Sequence, residues 1–188
     1  MRIPDFKVQG PRIHLRTIEL EDAKGPYLEW INDPDVTRFL VSRLPPQRVE
    51  DLEAYIQGAN DKSDDLLLAA CDNESGSHIG NLKLQHIDET HQTAWLSIVI
   101  GSKSTWGKGI GTEAVALMTK VGLETLALRR IDAGCFAENG AAIKTFLNCG
   151  YTKEGYTREQ FSAEGRTWDA VWLGILSTDA PLWRRVIE

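Results

Sequence analysis

Three glycines at alternate positions, in the stretch GKGIG at 107–111, lie between a predicted strand and a predicted helix. Glycine loses more backbone entropy on folding than any other residue, so three in so short a stretch need a structural or chemical reason. Free N–H groups at the start of a helix form a site for an anion, and glycine lets the backbone approach that anion closely. A tight turn from strand to helix is the alternative interpretation.

Two well-known glycine loops fit this stretch poorly. The phosphate loop of NTPases needs a Lys-Ser or Lys-Thr pair after its last glycine, whereas Thr112 and Glu113 follow Gly111 here. The dinucleotide fingerprint needs G-x-G-x-x-G at the start of a βαβ unit, whereas the spacing here is G-x-G-x-G and the preceding strands read as antiparallel. A pyrophosphate site made only of loop amides and the helix N-terminus fits better, with the tight turn still open.

Composition restricts the class of protein. At 188 residues and 42% hydrophobic content the chain is expected to form one domain, 1–188, with a substantial core. A net charge of −6 argues against nonspecific nucleic-acid binding, and no apolar run approaches the roughly 20 residues that span a bilayer. The N-terminus lacks the apolar core of a secretory signal, and three widely spaced cysteines suit buried, reduced thiols. We therefore predict a cytoplasmic protein without membrane or nucleic-acid partners.

Hydrophobic patterning predicts a mixed α+β order, with a strand, glycine loop, helix and strand in the middle of the chain. Predicted strands cover 12–18, 65–72, 78–88, 93–101 and 129–136, and a hairpin covers 151–161 and 166–176. Predicted helices lie within 19–36, 45–61, 112–126 and 138–150.

The segments WGKGIGTEA, RRIDAGCFAENGAAIKTF and NCGY resemble the GCN5-related N-acetyltransferase (GNAT) superfamily, in the branch of ribosomal-protein and amino-sugar N-acetyltransferases. Gly109 and Gly111 match the family's Q/R-x-x-G-x-G/A loop, while Trp106 stands where Gln or Arg is commonest. The resemblance covers about 13–176. It implies a mostly antiparallel sheet of six to seven strands and about four helices, in which two central strands, 93–100 and 130–136, splay apart around acetyl-CoA.

The resemblance also implies where acetyl-CoA binds. The loop 106–112 would bind the pyrophosphate, and Asn139 would contact the pantetheine arm unless it is only a helix N-cap. Phe146 and Ala142 stand where relatives often carry a hydroxyl that protonates the leaving thiolate, so both hydroxyls are missing here. The predicted acetyl-CoA contacts are Ile98, Val99, Ile100, Trp106, Gly107, Lys108, Gly109, Ile110, Gly111, Thr112, Asn139, Ala142 and Phe146.

No catalytic residue can be assigned from the sequence, because Trp95 replaces the acid that many relatives carry. His86 shares a face with Leu82 and Leu84 and reads as a structural or surface residue, with a catalytic role as the alternative. Glu113 in the first helical turn reads as a complement to the helix dipole. Four side chains near strand ends are expected to be solvated: His78, Asp88, Glu89 and His91. The predicted acceptor contacts are Trp30, Asn81, Trp95 and Ser97.

These inferences predict an acetyl-CoA-dependent N-acetyltransferase that acts on a primary amine by direct attack in a ternary complex, without a metal. The acceptor would be a small-molecule amine or a peptide N-terminus. Trp95 favours an amino sugar, with a ribosomal-protein N-terminus or a polyamine as alternatives. A non-catalytic acyl-CoA-binding domain and a nucleotide-binding protein also remain open, as does the choice between monomer and homodimer.

Overall fold

Eight β-strands form one mixed sheet in the computed structural model, which describes residues 6–40, 47–163 and 165–188. The strands are β1 (Lys7–Gln9), β2 (Ile13–Thr17), β3 (Leu66–Asp72), β4 (His78–Asp88), β5 (Thr93–Ile100), β6 (Arg130–Phe136), β7 (Thr152–Ala163) and β8 (Arg166–Leu176), in the spatial order β1-β2-β3-β4-β5-β6-β8-β7. Only β5 and β6 pair in parallel. The predicted α+β sheet is confirmed, with β1 in addition to the predicted strands because three residues are too few to show an alternation.

Six α-helices occur in the described residues, and the predicted first helix is broken into pieces. They are α1 (Pro26–Ile31), α2 (Pro34–Thr37), α3 (Val49–Asp61), α4 (Ile110–Lys120), α5 (Gly140–Asn148) and α6 (Arg184–Ile187). A 3-10 helix precedes α1, and both α1 and α2 begin with a proline, which fits the first turn of a helix because its missing N–H needs no partner there. The predicted start of α3 at 45–46 lies outside the described residues.

The sheet separates two hydrophobic cores. Alternate residues of β3 point to opposite faces, so that Leu68 belongs to one core and Leu67 to the other. The larger core contains the apolar side of α4, where Leu117 and Met118 are fully buried. The smaller core lies under α1 and α3. The two cores hold α4 and α3 against opposite faces of the same central strands.

β5 and β6 are paired along only part of their length. Their register ends at the pair Trp95–Asp132, after only three pairs. Beyond it β5 stays paired with β4 as far as Ile100, and β6 stays paired with β8 as far as Phe136. The predicted splay of the central strands is confirmed, and it opens a cleft in the middle of the sheet.

A buried polar network joins the segment before α1 to the start of β4. The His78 imidazole is 8% exposed, and its ring centroid lies 5.0 Å from that of Trp30 in an edge-to-face contact. Asp22, which is ion-paired with Arg16 at 2.7 Å, lies 3.6 Å from His78 Nδ1. Burial lowers the pKa of His78. The expectation that His78 is solvated is therefore wrong, because α1 and the preceding 3-10 helix cover this strand end.

A second expectation, that His86 shares a face with Leu82 and Leu84, is also wrong. The register of β4 against β5 shifts between Gln85 and Asp88, and His86 takes a φ of +53° within this irregularity. The bulge interrupts the alternation and leaves His86 exposed. A period-2 pattern alone could not reveal it.

The contact between Trp30 and Gly101 predicts a large difference between two glycine substitutions. A methyl group on Gly101 would lie 1.9 Å from Cδ2 of the buried indole, whereas a methyl group on Gly58 in α3 would meet nothing within 4 Å. We expect Gly101→Ala to lower the free energy of unfolding by about 2 kcal/mol or more. Gly58→Ala should raise it by up to about 1 kcal/mol. Urea titrations measure both, and a Gly101→Ala protein as stable as wild type would contradict the contact.

The buried His78 predicts a pH dependence of stability. Because burial lowers its pKa, the unfolded chain binds a proton on this imidazole more readily than the folded chain does. The free energy of unfolding should therefore decline as the pH falls below about 6.5, the ordinary value of histidine. The urea midpoint of His78→Gln should decline less steeply than that of wild type over the same pH range. Equal slopes would show that His78 does not cause the decline.

Candidate active site

The cleft between β5 and β6 has a volume of about 430 Å³. The region of α1 to α3 lines it with Tyr27, Ile31, Phe39, Leu40, Gln47, Leu52 and Tyr55. Strands β3 to β5 contribute Leu67, Asn81, Leu82, Lys83, Gln85, Leu96, Ser97, Ile98 and Val99, and β6 with α5 contributes Gly134, Cys135, Phe136, Asn139, Ala142 and Phe146. Most of these side chains are apolar or aromatic, which is typical of a small-molecule site.

Several residues that the sequence singled out meet in this cleft. The predicted contacts among its lining residues are Asn81, Ser97, Ile98, Val99, Asn139, Ala142 and Phe146. Asn139 Oδ1 accepts the N–H of Ala142 at 3.1 Å, so the N-cap alternative for Asn139 is confirmed. Asn139 also lines the cleft, so capping does not exclude a ligand contact.

Trp30 and Trp95 lie elsewhere than predicted. Trp30 does not line the cleft, because its indole is buried between His78 and Gly101. Trp95 lies where β5 and β6 are still paired, before the cleft opens, and it contacts Trp172 edge to face at 5.5 Å. Trp95 and Ser97 share the more exposed face of β5, but the sequence could not show where along the strand the cleft begins.

The glycine loop directly follows the splayed end of β5. Gly107 and Gly109 have φ values of +71° and +78°, in the left-handed region that favours glycine, and Gly109 is the N-cap of α4. Within the described part of the chain, no carbonyl or side chain accepts an N–H group of residues 107–112. Trp106 joins the loop to the strand, since its Nε1 donates to the Ile100 carbonyl at 2.8 Å. A row of free amides therefore lies at the start of α4.

One buried amide is oriented by its neighbours. His78 Nε2 lies 3.0 Å from the Gly80 carbonyl and 2.8 Å from Asn81 Oδ1, so this nitrogen must carry the hydrogen. Asn81, which is 5% exposed, therefore keeps Nδ2 as a donor, and this atom has no hydrogen-bond partner in the described residues. Burial raises the pKa of the Tyr27 hydroxyl, and the nearby Asn81 amide partly offsets this rise. Asn81 Nδ2 and the Tyr27 hydroxyl nevertheless do not form a hydrogen bond.

The ionisable side chains among the residues described as lining the cleft are Tyr27, Tyr55, Lys83 and Cys135. No carboxylate or imidazole lines it, and its one charged residue, Lys83, is paired with Asp65 at 2.8 Å. Burial opposes ionisation of Asp65, but the Lys83 ammonium outweighs it and lowers the pKa of that carboxyl. Burial raises the pKa of the Cys135 thiol to about 12, so this cysteine is a neutral thiol near pH 7. The cleft is therefore close to neutral.

In the ranges that the structure describes, no three His, Cys, Asp or Glu side chains come together as a set of metal ligands. None of the described helices combines the length and the apolar composition that a membrane span requires.

Comparisons with known proteins identify the family. Residues 12–152 match the acetyltransferase (GNAT) domain family. The uncharacterized N-acetyltransferase p20 of Bacillus licheniformis is 31% identical over 171 residues, which cover 89% of this chain and 94% of that protein. Spermidine N(1)-acetyltransferase of Escherichia coli strain K12 is 28% identical over 160 residues, or 85% and 83% of the two chains. Mycobacterium smegmatis RimJ in complex with CoA-disulfide has a TM-score of 0.85, with 17% identity over 97% and 93% of the two chains.

These comparisons give no support to the amino-sugar branch that the sequence suggested. They do support the enzyme over the non-catalytic and nucleotide-binding alternatives. The chain belongs to the GNAT acetyltransferase family and is an acetyl-CoA-dependent N-acetyltransferase.

Proposed function

We propose that this enzyme transfers the acetyl group of acetyl-CoA directly to the free-base α-amine of an acceptor with an apolar body, such as a peptide N-terminus. The observation that carries the proposal is the composition of the cleft, whose described lining contains no carboxylate or imidazole. Such a cleft can orient an acceptor, but it cannot deprotonate an amine or neutralise several positive charges.

The free amides at 107–112 are suited to the pyrophosphate of CoA. Each can donate a charge-assisted hydrogen bond, and the N-terminus of α4 adds its positive dipole end. The pantetheine arm carries two amide groups of its own, and beyond Trp95 the edge of β5 that faces β6 has no strand partner in the described residues. An extended arm can add to that edge as a further strand would. Asn139 Nδ2 lies on the wall that such an arm would pass.

The reaction then needs few protein groups. The amine nitrogen attacks the thioester carbonyl, a C–N bond forms, the C–S bond breaks, and the proton of the amine ends on the released thiol. A thiol with a pKa of about 8.5 leaves readily as the anion, so the missing hydroxyls at Phe146 and Ala142 do not prevent transfer. Backbone N–H groups of β5 and the oriented Nδ2 of Asn81 can polarise the carbonyl. The neutral Cys135 thiol makes an acetyl-cysteine intermediate unfavourable.

Amine basicity favours an α-amine as the acceptor. At pH 7.5 roughly one third of an α-amine with a pKa of about 7.8 is the free base, against roughly one in a thousand for an alkylamine with a pKa near 10.4. A polyamine would also bring further positive charges into a described lining that offers no carboxylate, which is costly in a buried site. The proposed acceptor therefore differs from the spermidine of the Escherichia coli relative.

The aromatic side of the cleft suits an apolar body. The Phe136 ring lies 6.0 Å from that of Phe39 and 5.7 Å from that of Trp168. Tyr27 and Leu52 face the same space from α1 and α3. An acceptor whose first side chain is apolar would bury that side chain against these rings.

Gly111 offers a direct test of the pyrophosphate site. Its φ is helical, and a methyl group there would lie 3.8 Å from Ile100 and Thr145, so Gly111→Val should fold. The branched valine side chain should block the close approach of the pyrophosphate to the loop amides. We expect the dissociation constant of CoA to rise about 10- to 100-fold, equivalent to the loss of one or two charge-assisted hydrogen bonds. Calorimetry measures it, with Gly58→Ala as the control. Unchanged affinity in folded Gly111→Val would show that the loop is only a turn.

The acceptor proposal predicts a pH profile that follows the acceptor rather than the protein. With saturating acetyl-CoA, kcat/KM should rise about tenfold per pH unit below the pKa of the acceptor amine and level off at that pKa. Thiol release measured with an apolar-headed peptide and with spermidine should favour the peptide near pH 7.5. A plateau at one pH for acceptors of different basicity would reveal a protein base, and preference for spermidine would overturn the proposed acceptor class.

A further inference from the structure

A buried carboxylate lies under the glycine loop. Glu113, in the first turn of α4, is fully buried. Its oxygens accept the backbone N–H of Arg12 at 2.7 Å, that of Ile13 at 3.0 Å, and the side-chain Nε of Arg12 at 2.7 Å. The interpretation of Glu113 as only a complement to the helix dipole is therefore incomplete. The carboxylate joins α4 to the turn between β1 and β2, 101 positions away in the chain.

Arg12 reaches from this carboxylate into the loop itself. Its Nη1 donates to the carbonyl oxygen of Lys108 at 2.7 Å, and its Nη2 lies 3.5 Å from the position that a Cβ on Gly109 would take. The C=O and N–H of one trans peptide point in opposite directions. Holding the Lys108 carbonyl on the Arg12 side therefore turns the N–H of Gly109 to the other side, where it has no partner in the described residues.

The turn that carries Arg12 is itself held in place by Asn73 and by close packing against Glu113. Asn73 donates its N–H to the Arg12 carbonyl at 2.9 Å, and its Nδ2 donates to the Gly10 carbonyl at 2.9 Å. A Cβ at Gly10 would lie only 2.9 Å from the Glu113 carboxylate, so the turn packs closely on that group. Because Glu113 neutralises the guanidinium, Arg12 supplies orientation rather than net charge.

We propose that Arg12, fixed by Glu113, is a positioning residue that aims the amides of the glycine loop at the pyrophosphate of CoA. The inference rests on the proposed use of this loop. It assigns to the turn between β1 and β2, far from the glycine loop in sequence, a part in binding the acetyl donor.

Two acetyl donors separate this role from a general structural one. Acetyl-CoA carries the pyrophosphate, whereas S-acetylpantetheine has the same thioester and arm without it. In Arg12→Ala we expect the KM for acetyl-CoA to rise about tenfold, as for the loss of one oriented hydrogen bond to an anion. The value of kcat/KM with S-acetylpantetheine should stay within about twofold of wild type, because no pyrophosphate is present to be misaligned.

Two further variants complete the experiment: Arg12→Lys is the conservative substitution, and Arg184→Ala is the control. Lysine can keep the ion pair with Glu113 but cannot also bond the Lys108 carbonyl in fork geometry, so it should fold and still lose affinity for acetyl-CoA selectively. Arg184, which is ion-paired with Glu124, matches Arg12 in side-chain exposure, 48% against 49%. Arg184→Ala should therefore leave the kinetics with both donors unchanged. Urea midpoints identify any variant that fails to fold, in which case Arg12→Lys decides.

Equal losses with both donors, or no loss with acetyl-CoA in a folded variant, would overturn the positioning role. If wild-type enzyme transfers acetyl from neither donor to any amine, the proposed function fails and not the inference about Arg12. If wild type is active and only the Arg12 variants lose discrimination between the donors, the positioning role of Arg12 and the proposed use of the glycine loop are both supported.

Discussion

Three residue pairs join β5 to β6, and the proposed site depends on the pairing ending at Trp95 and Asp132. Were the ladder continued to Ile100, the backbone groups that now face the cleft would be bonded to β6, and no extended arm could enter. The outer strands keep the sheet continuous, since β4 and β8 hold β5 and β6 to their ends. The opening is therefore stable without a ligand, which suits a preformed binding site.

The parts of the site that follow from local sequence could be predicted. The predicted strand at 93–101 brings Ser97 to the cleft, and glycines before a helical run indicated a loop with free amides, because both signals need only neighbouring residues. Glu113 is different, since an acid in a first helical turn has a sufficient local explanation. Its buried role depends on Arg12, 101 positions away, and no periodicity reports that contact.

Trp30 and His78 show the same limit, because their roles also depend on residues that are distant in the sequence. Trp30 falls in a predicted helical segment, where a tryptophan is consistent with a core residue as well as with a cleft residue. The close packing of Gly101 against the indole places Trp30 in the core. Because Gly101 lies in another part of the chain, the helical segment alone could not reveal this contact. The sequence places His78 at a strand end and predicts that it is solvated. In the structure α1 covers His78, and its ring orients the side chain of Asn81. Long-range packing, rather than propensity, settles both cases.

The most direct measurement is a crystal structure of the enzyme with CoA bound. We expect pyrophosphate oxygens about 3 Å from the N–H groups of 107–112, with the pantetheine arm along the edge of β5 that faces β6. The Lys108 carbonyl should keep its bond to Arg12 in that complex. A pyrophosphate bound away from the loop, or an arm that does not enter between β5 and β6, would contradict this expectation.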